Sequence, residues 1–169
     1  DVVFDVLAEA AFGPQSLGRT ILGPAERIAA YSSEDLFRFR SHHYGPENAV
    51  VAIAGNVKAE EAKKLLEDTF GSWQGAKGQA FPETVSVDEE RKLFRHKDTE
   101  QMHIAISYRG LPMGSKQVYA MAVMNTILGG GMSSRLFQKI REEMGMAYSV
   151  YTGPSNYPGC GEFSVYAAT

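Results

Sequence analysis

The stretch GGGMSSRLFQKIREEMGMAYSVY, residues 129–151, decides how this chain is read. Three glycines lead into a short amphipathic helical pattern, which stops at Gly145 and runs into an aromatic strand pattern. The glycine run admits three readings. As a phosphate cradle it would set Ser133 and Ser134 at a helix N-terminus, where backbone N–H groups attract anions. However, it lacks the lysine of G-x-x-x-x-G-K-[ST] and follows a helix, where a nucleotide loop follows a strand. As a helix-to-helix connection it supplies positive φ. As bare backbone it lets an extended peptide come close. Arg141 stands near the end of the helix, and Tyr148 follows seven residues on, beyond Gly145. Taken alone, such an arginine complements the helix dipole and such a tyrosine packs.

Working outward, residues 115–128 read as a helix carrying Val118, Met121, Ala122 and Met124. Strand patterns flank it: RKLFRHK (91–97), TEQMHIAISYRG (99–110), AYSVYTG (147–153) and GEFSVYAA (161–168). In the second of these, Met102, Ile104, Ile106 and Tyr108 face one way; Gln101, His103, Ser107 and Arg109 face the other. The N-terminal half opens with a helix on Val3, Leu7, Ala10 and Ala11, stopped by Gly13-Pro14. A loop, LGRTILGP (17–24), follows. Ser32 or Ser33, with Glu34 and Asp35, caps a helix that buries Leu36 and Phe39 and ends near Gly45-Pro46. AVVAIAGNV (49–57) predicts a strand buried on both faces. A further helix at 59–70, with Ala62, Leu65, Leu66 and Thr69 on one side, ends at Gly71.

From residue 71 to 90 the chain becomes glycine-rich, polar and aperiodic, as a linker does. The expected division is 1–74, a linker at 75–91, and 92–169. The order of elements predicts an α+β fold, with helices packed on one face of mostly antiparallel sheets. With 169 residues, 44% apolar and 22% charged, the composition is that of a globular protein. A net charge of −3 argues against a nucleic-acid partner, and no apolar run approaches the ~18 residues of a membrane span. Cys160 is the one cysteine, so no intrachain disulfide forms and a reducing compartment suits the chain. His42 and His43 are adjacent and diverge on a helix, while His96 and His103 fall on different strands. No C-x-x-C, H-x-x-E-H or H-E-x-x-H is present, and no metal ligands are assigned. The chain starts at Asp1 on a helical pattern and reads as a fragment.

Taken together, LGRTILGP, HHYGPENAVVAIAGNV, EQMHIAISYRG and GGGMSSRLFQKIREEMGMAYSV resemble blocks of the M16 (insulinase or pitrilysin-like) zinc metallopeptidases, in the family's order. The branch they resemble includes mitochondrial processing peptidase, and R-x6-Y after S-R-L-F is the most specific block. The resemblance implies parts of two similar M16-type domains, the end of one and the opening of the next, enclosing a chamber for an extended peptide. It implies a zinc ion bound by residues upstream of Asp1. It also implies that Arg141 and Tyr148 are catalytic, holding the substrate carbonyl and the charge that develops on its oxygen. Gly129, Gly130 and Gly131 match in position, though not in length, a substrate-handling glycine loop. The implied protein is a zinc endopeptidase acting on peptides or presequence-like segments. It would be a homo- or heterodimer in the bacterial cytoplasm or, alternatively, the mitochondrial matrix. The rival readings are a non-catalytic family member, such as a partner or core subunit, and a module that grips extended peptides by strand addition without cleaving them.

Overall fold

The computed structural model describes residues 2–76, 78, 84, 85, 89 and 91–169. Most of the predicted linker lies outside the described residues. The chain divides into two compact units, one formed by Asp1–Gly23 with Pro82–Thr169 and the other by Pro24–Phe81.

The first unit is built on a three-stranded antiparallel sheet of β1 (His103–Arg109), β2 (Ser149–Asn156) and β3 (Gly161–Ala168), in the order β1-β3-β2. The last two strands form a hairpin, closed where the Tyr157 amide donates to the Cys160 carbonyl at 3.0 Å and Gly159 takes φ +82°. Pro154 sits in β2, which an edge strand tolerates because one side of its ladder is unused. In the registers, Tyr166 lies opposite both Ala105 and Tyr151, so these three share one face. That face meets α1 (Val2–Phe12), where the Phe4 ring stacks on Tyr166 at 5.4 Å. The opposite face carries Val150, Thr152, Phe163 and Val165, and α5 (Val118–Leu128) packs there through a hydrogen bond from Thr152 Oγ1 to Asn125 Oδ1 at 2.7 Å. The α+β class and antiparallel pairing are as expected. In this unit α5 lies against one face, and α1, far away in sequence, brings an apolar stripe to the aromatic face. Phe12 is 1% exposed and meets Tyr157 edge to face, a burial worth ~1.5–3 kcal/mol.

Two predicted strands are absent. Residues 91–97 form no ladder and are tied to α1: Arg95 Nη2 donates to Glu9 Oε2 at 3.2 Å, and Arg91 Nη1 to the Glu9 carbonyl at 3.5 Å. Residues 49–57, in the second unit, are irregular, with Val50, Val51, Ile53 and Val57 exposed. A strand exists only with a neighbour to complete its ladder, and β-branched side chains cannot substitute for one.

The second unit carries α2 (Ala25–Ala30), α3 (Ser33–His43) and α4 (Ala59–Phe70). None of its apolar side chains is buried among the described residues. Leu36 and Phe39 on α3, expected inside, are exposed, because amphipathic spacing creates a stripe but not a surface to cover it. The stripe of α4 faces an open depression shared by Ala62, Leu66, Phe70, Val51 and Ile53.

The start of α3 is as read. Ser32 is its N-cap in a full capping box: the Asp35 amide donates to Ser32 Oγ at 3.2 Å, and the Ser32 amide donates to Asp35 Oδ2 at 3.0 Å. The Ser32 hydroxyl and amide, followed by nearby Arg38, hold the Asp35 carboxyl below the ordinary aspartate range. Because the folded carboxyl titrates below its unfolded value, its support for α3 is present above the ordinary range and lost as pH falls through the depressed value. Side-chain NMR titration is expected to give Asp35 a lowered midpoint, which Ser32→Ala moves back up. A midpoint unmoved by that substitution would assign the shift to Arg38 alone.

At the other end of the first unit, Gln15 and Val85 bond twice, Nε2 to the Val85 carbonyl at 2.8 Å and the Val85 amide to Oε1 at 3.1 Å. Ser16 Oγ and Thr84 Oγ1 lie 2.7 Å apart beside them, and Thr84 is 4% exposed. Gln15→Leu is therefore expected to abolish hydrogen-exchange protection at the Val85 amide while leaving β3 protected.

Candidate functional site

The helix read between the glycine run and Gly145 is mostly π-helical, over Phe137–Glu143. Its first bond is ordinary, from the Gln138 amide to the Ser134 carbonyl, but the Met144 amide reaches Lys139, five residues back. Gly145 ends the helix at φ +59°, the left-handed position anticipated for it, and the Met146 amide reaches back to the Ile140 carbonyl at 2.9 Å. The chain then turns into the sheet, and the Tyr148 amide donates to the Ala168 carbonyl at 2.8 Å just before β2 begins.

This path brings Arg141 and Tyr148 together. The Arg141 guanidinium carbon lies 5.3 Å from the Tyr148 ring centroid, within cation–π range. The arginine side chain is 39% exposed and the tyrosine 70%, so both present polar groups to solvent at this end of the sheet. Sequence reasoning overlooked a third member. Phe137 also lies close, its ring centroid 4.8 Å from the same guanidinium carbon. Its signal was present, since residues four apart share a helix face.

The glycines divide. Gly129 is buried against β2, with the Thr152 amide donating to its carbonyl at 3.2 Å. A Cβ there would meet Thr152 side-chain and backbone atoms at 2.6–2.7 Å. Gly130 is exposed but close to the Thr126 backbone, whereas Gly131 is exposed with open space around it. None of the three has positive φ, which overturns the conformational reading of the run; close approach explains Gly129. The cradle reading gains nothing either. Ser134 is 3% exposed and its amide is already used on the Gly131 carbonyl, while Gln138 Nε2 ties back to the Met132 carbonyl.

Three of the four histidines are accounted for by local contacts. His42 Nδ1 is 2.7 Å from the Arg38 carbonyl, His43 lies against Phe39, and His103 Nδ1 is 2.7 Å from the Tyr166 hydroxyl. The last pair belongs to an aromatic group with Tyr151 on the α1 face of the sheet, where burial first, and then Tyr166, pushes the Tyr151 phenol up. A cavity of about 800 Å³ opens there, between α1, residues 93–103 and the sheet; neither Arg141 nor Tyr148 lines it. Burial likewise raises the Cys160 thiol, which makes it a poor nucleophile.

Residues 30–169 match the family described as Peptidase M16 inactive domain. The chain belongs to the M16 peptidase family. It is 40% identical, over its whole length, to a zinc protease of Bacillus subtilis named YmxG, of which it spans 41%. Its fold is that of two solved structures: a protease from Helicobacter pylori (TM-score 0.84, 21% identity) and a peptidase M16 inactive domain from Pseudomonas fluorescens (TM-score 0.85, 22% identity). Each alignment takes in 99% of this chain and 42% or 41% of the other. The chain thus spans about two fifths of these relatives. Relatives in the family carry the name zinc protease, yet among the described residues no group of three or more His, Cys, Asp or Glu is placed to hold a metal. The donors among the described residues do not fit a zinc centre, which needs three protein ligands in one cluster. No described helix is long and apolar enough to cross a membrane.

The difference between the glycines is measurable. Gly129→Ala is expected to cost ~1–3 kcal/mol, as overpacking does, and to lower the thermal midpoint. Gly131→Ala should leave the midpoint near its original value. Equal effects at the two positions would contradict the packing account of Gly129.

Proposed function

We propose that this chain is the part of an M16 zinc endopeptidase that supplies donors to the substrate, with the metal held by residues of the longer protein upstream of Asp1. The observation that carries the reading is the placement of the Arg141 guanidinium beside the Tyr148 ring, at a solvent-accessible end of the sheet. A guanidinium offers a fixed fork of N–H donors, and a phenol adds one O–H donor. Two such donors side by side suit a peptide carbonyl, and hold it more tightly as negative charge grows on its oxygen. Neither residue is a nucleophile, so their part is to bind and stabilise. Gly131, and less directly Gly130, offer open backbone to an extended peptide; Gly129 serves the packing of that loop.

The substrates are peptides or presequence-like segments, as in the processing-peptidase branch. The longer protein would work as a homo- or heterodimer. The bacterial relatives support a bacterial protein, for which the cytoplasm is the proposed location and the mitochondrial matrix the alternative. In that protein, residues 1–74 would close the first M16-type domain, 75–91 would link, and 92–169 would open the second. That assignment concerns domains completed outside this chain and is separate from its two compact units.

Tyr148→Phe in the full-length protein is expected to lower kcat on a quenched peptide by about 100-fold, with a smaller change in KM. Arg141→Lys should also lower kcat, since an ammonium cannot present two donors in one plane. Full kcat in both folded variants would remove the pair from the reaction and leave a peptide-gripping role. The 169-residue chain alone is expected to hold no tightly bound zinc by elemental analysis after zinc addition and dialysis. One retained equivalent would place the metal centre inside it.

A further inference from the structure

The Arg141 guanidinium is held less by charge than by aromatic faces. Among the described residues its one carboxylate contact is with adjacent Glu142, at 3.8 Å from Nε, at the outer limit of an ion pair, and Glu142 is itself about half exposed. Such a pair does little to fix a long side chain. The guanidinium carbon instead lies 4.8 Å from the Phe137 ring centroid and 5.3 Å from that of Tyr148. Phe137 is not in the core. It is half-buried, on the same helical turn and four residues before Arg141.

From this geometry we infer that Phe137 is a positioning residue for Arg141, fixing the guanidinium next to Tyr148. The inference rests on the proposed role of Arg141 as a donor to substrate. Its physical basis is a division of labour within the guanidinium. Stacking and cation–π contact use the flat faces of the group, whereas every N–H lies in its plane. The ring can therefore restrict the arginine without consuming a donor that the substrate needs. A carboxylate partner would restrict it too, but would occupy the donors and cancel the charge. Phe137 and Arg141 are four residues apart, a spacing that keeps two side chains on one helix face, and the turn they share is π-helical. π-turns of this kind recur at functional sites because the inserted residue redirects side chains.

The test uses the full-length protein. Phe137→Leu keeps an apolar side chain but removes the π face; Phe137→Tyr keeps the face and controls for packing. Phe137→Leu is expected to lower kcat by about tenfold with KM little changed, and Phe137→Tyr to retain most of it. In an Arg141→Ala background, Phe137→Leu should cost nothing further, because it acts only through the arginine. A second readout does not need turnover. With arginine isotopically labelled, the Arg141 Nε–H resonance should show a ring-current shift that Phe137→Leu reduces and Phe137→Tyr preserves. If Arg141→Ala costs activity but Phe137→Leu does not, the positioning role is wrong and the reading of Arg141 survives. If Arg141→Ala costs nothing, the reading of Arg141 itself fails and the positioning role goes with it. A Nε–H resonance indifferent to Phe137→Leu would overturn the stack outright.

Discussion

Everything in the first unit hangs on β3. Among the described residues it is the strand with a neighbour on either side, and its pairings fix where β1 and β2 begin and end. Its last carbonyls do more than complete a ladder. Ala168 accepts the amide of Tyr148, and Thr169 exchanges two bonds with Met102, so both outer strands are pinned at the same end. A two-stranded hairpin alone is marginal in water, whereas a third strand and a helix on each face make it persist. Tyr148 inherits that rigidity. It stands at the first step of a strand whose register cannot slip by one without turning Thr152 away from Asn125 and Val150 out of the core.

Arg141 is placed by different means. It is carried by a π-helical turn whose end is set by Gly145. Only a residue at ease with φ near +60° reverses the chain there and still leaves Met146 free to bond Ile140. The turn and the strand thus meet from two directions, one guided by a glycine and the other by a ladder. At their meeting point a guanidinium lies near a tyrosine ring and a phenylalanine ring. Such a site combines restriction with exposure: aromatic contact limits the arginine while it stays open to solvent.

The second unit shows the opposite case, strong local signals with little tertiary consequence. Its capping box forms as the sequence dictates, and α4 carries a clear apolar stripe. Yet Leu36, Phe39, Leu65 and Val50 remain exposed. Local chemistry can start and stop a helix on its own, because capping bonds join residues three apart. Burial cannot be arranged locally, since it needs a second surface.

The same boundary separates what could be read from the sequence from what could not. The α+β class, the hairpin strands, the end of the helix at Gly145, the cap at Ser32 and the family blocks were legible, because each depends on periodicity or on bonds between near neighbours. So was the pairing of Arg141 with Tyr148, through its resemblance to the family motif. What the sequence could not specify was the location of partners. It marked 49–57 and 91–97 as strands, but a ladder requires a second chain segment, and neither found one. It left open why the glycines were there, and the packing of Thr152 against Gly129 supplied the reason. Spacing could put Phe137 on the Arg141 side of the helix, but only the folded chain set its ring at 4.8 Å and that of Tyr148 at 5.3 Å from one guanidinium carbon, because that meeting depends on where the turn at Gly145 docks on β3.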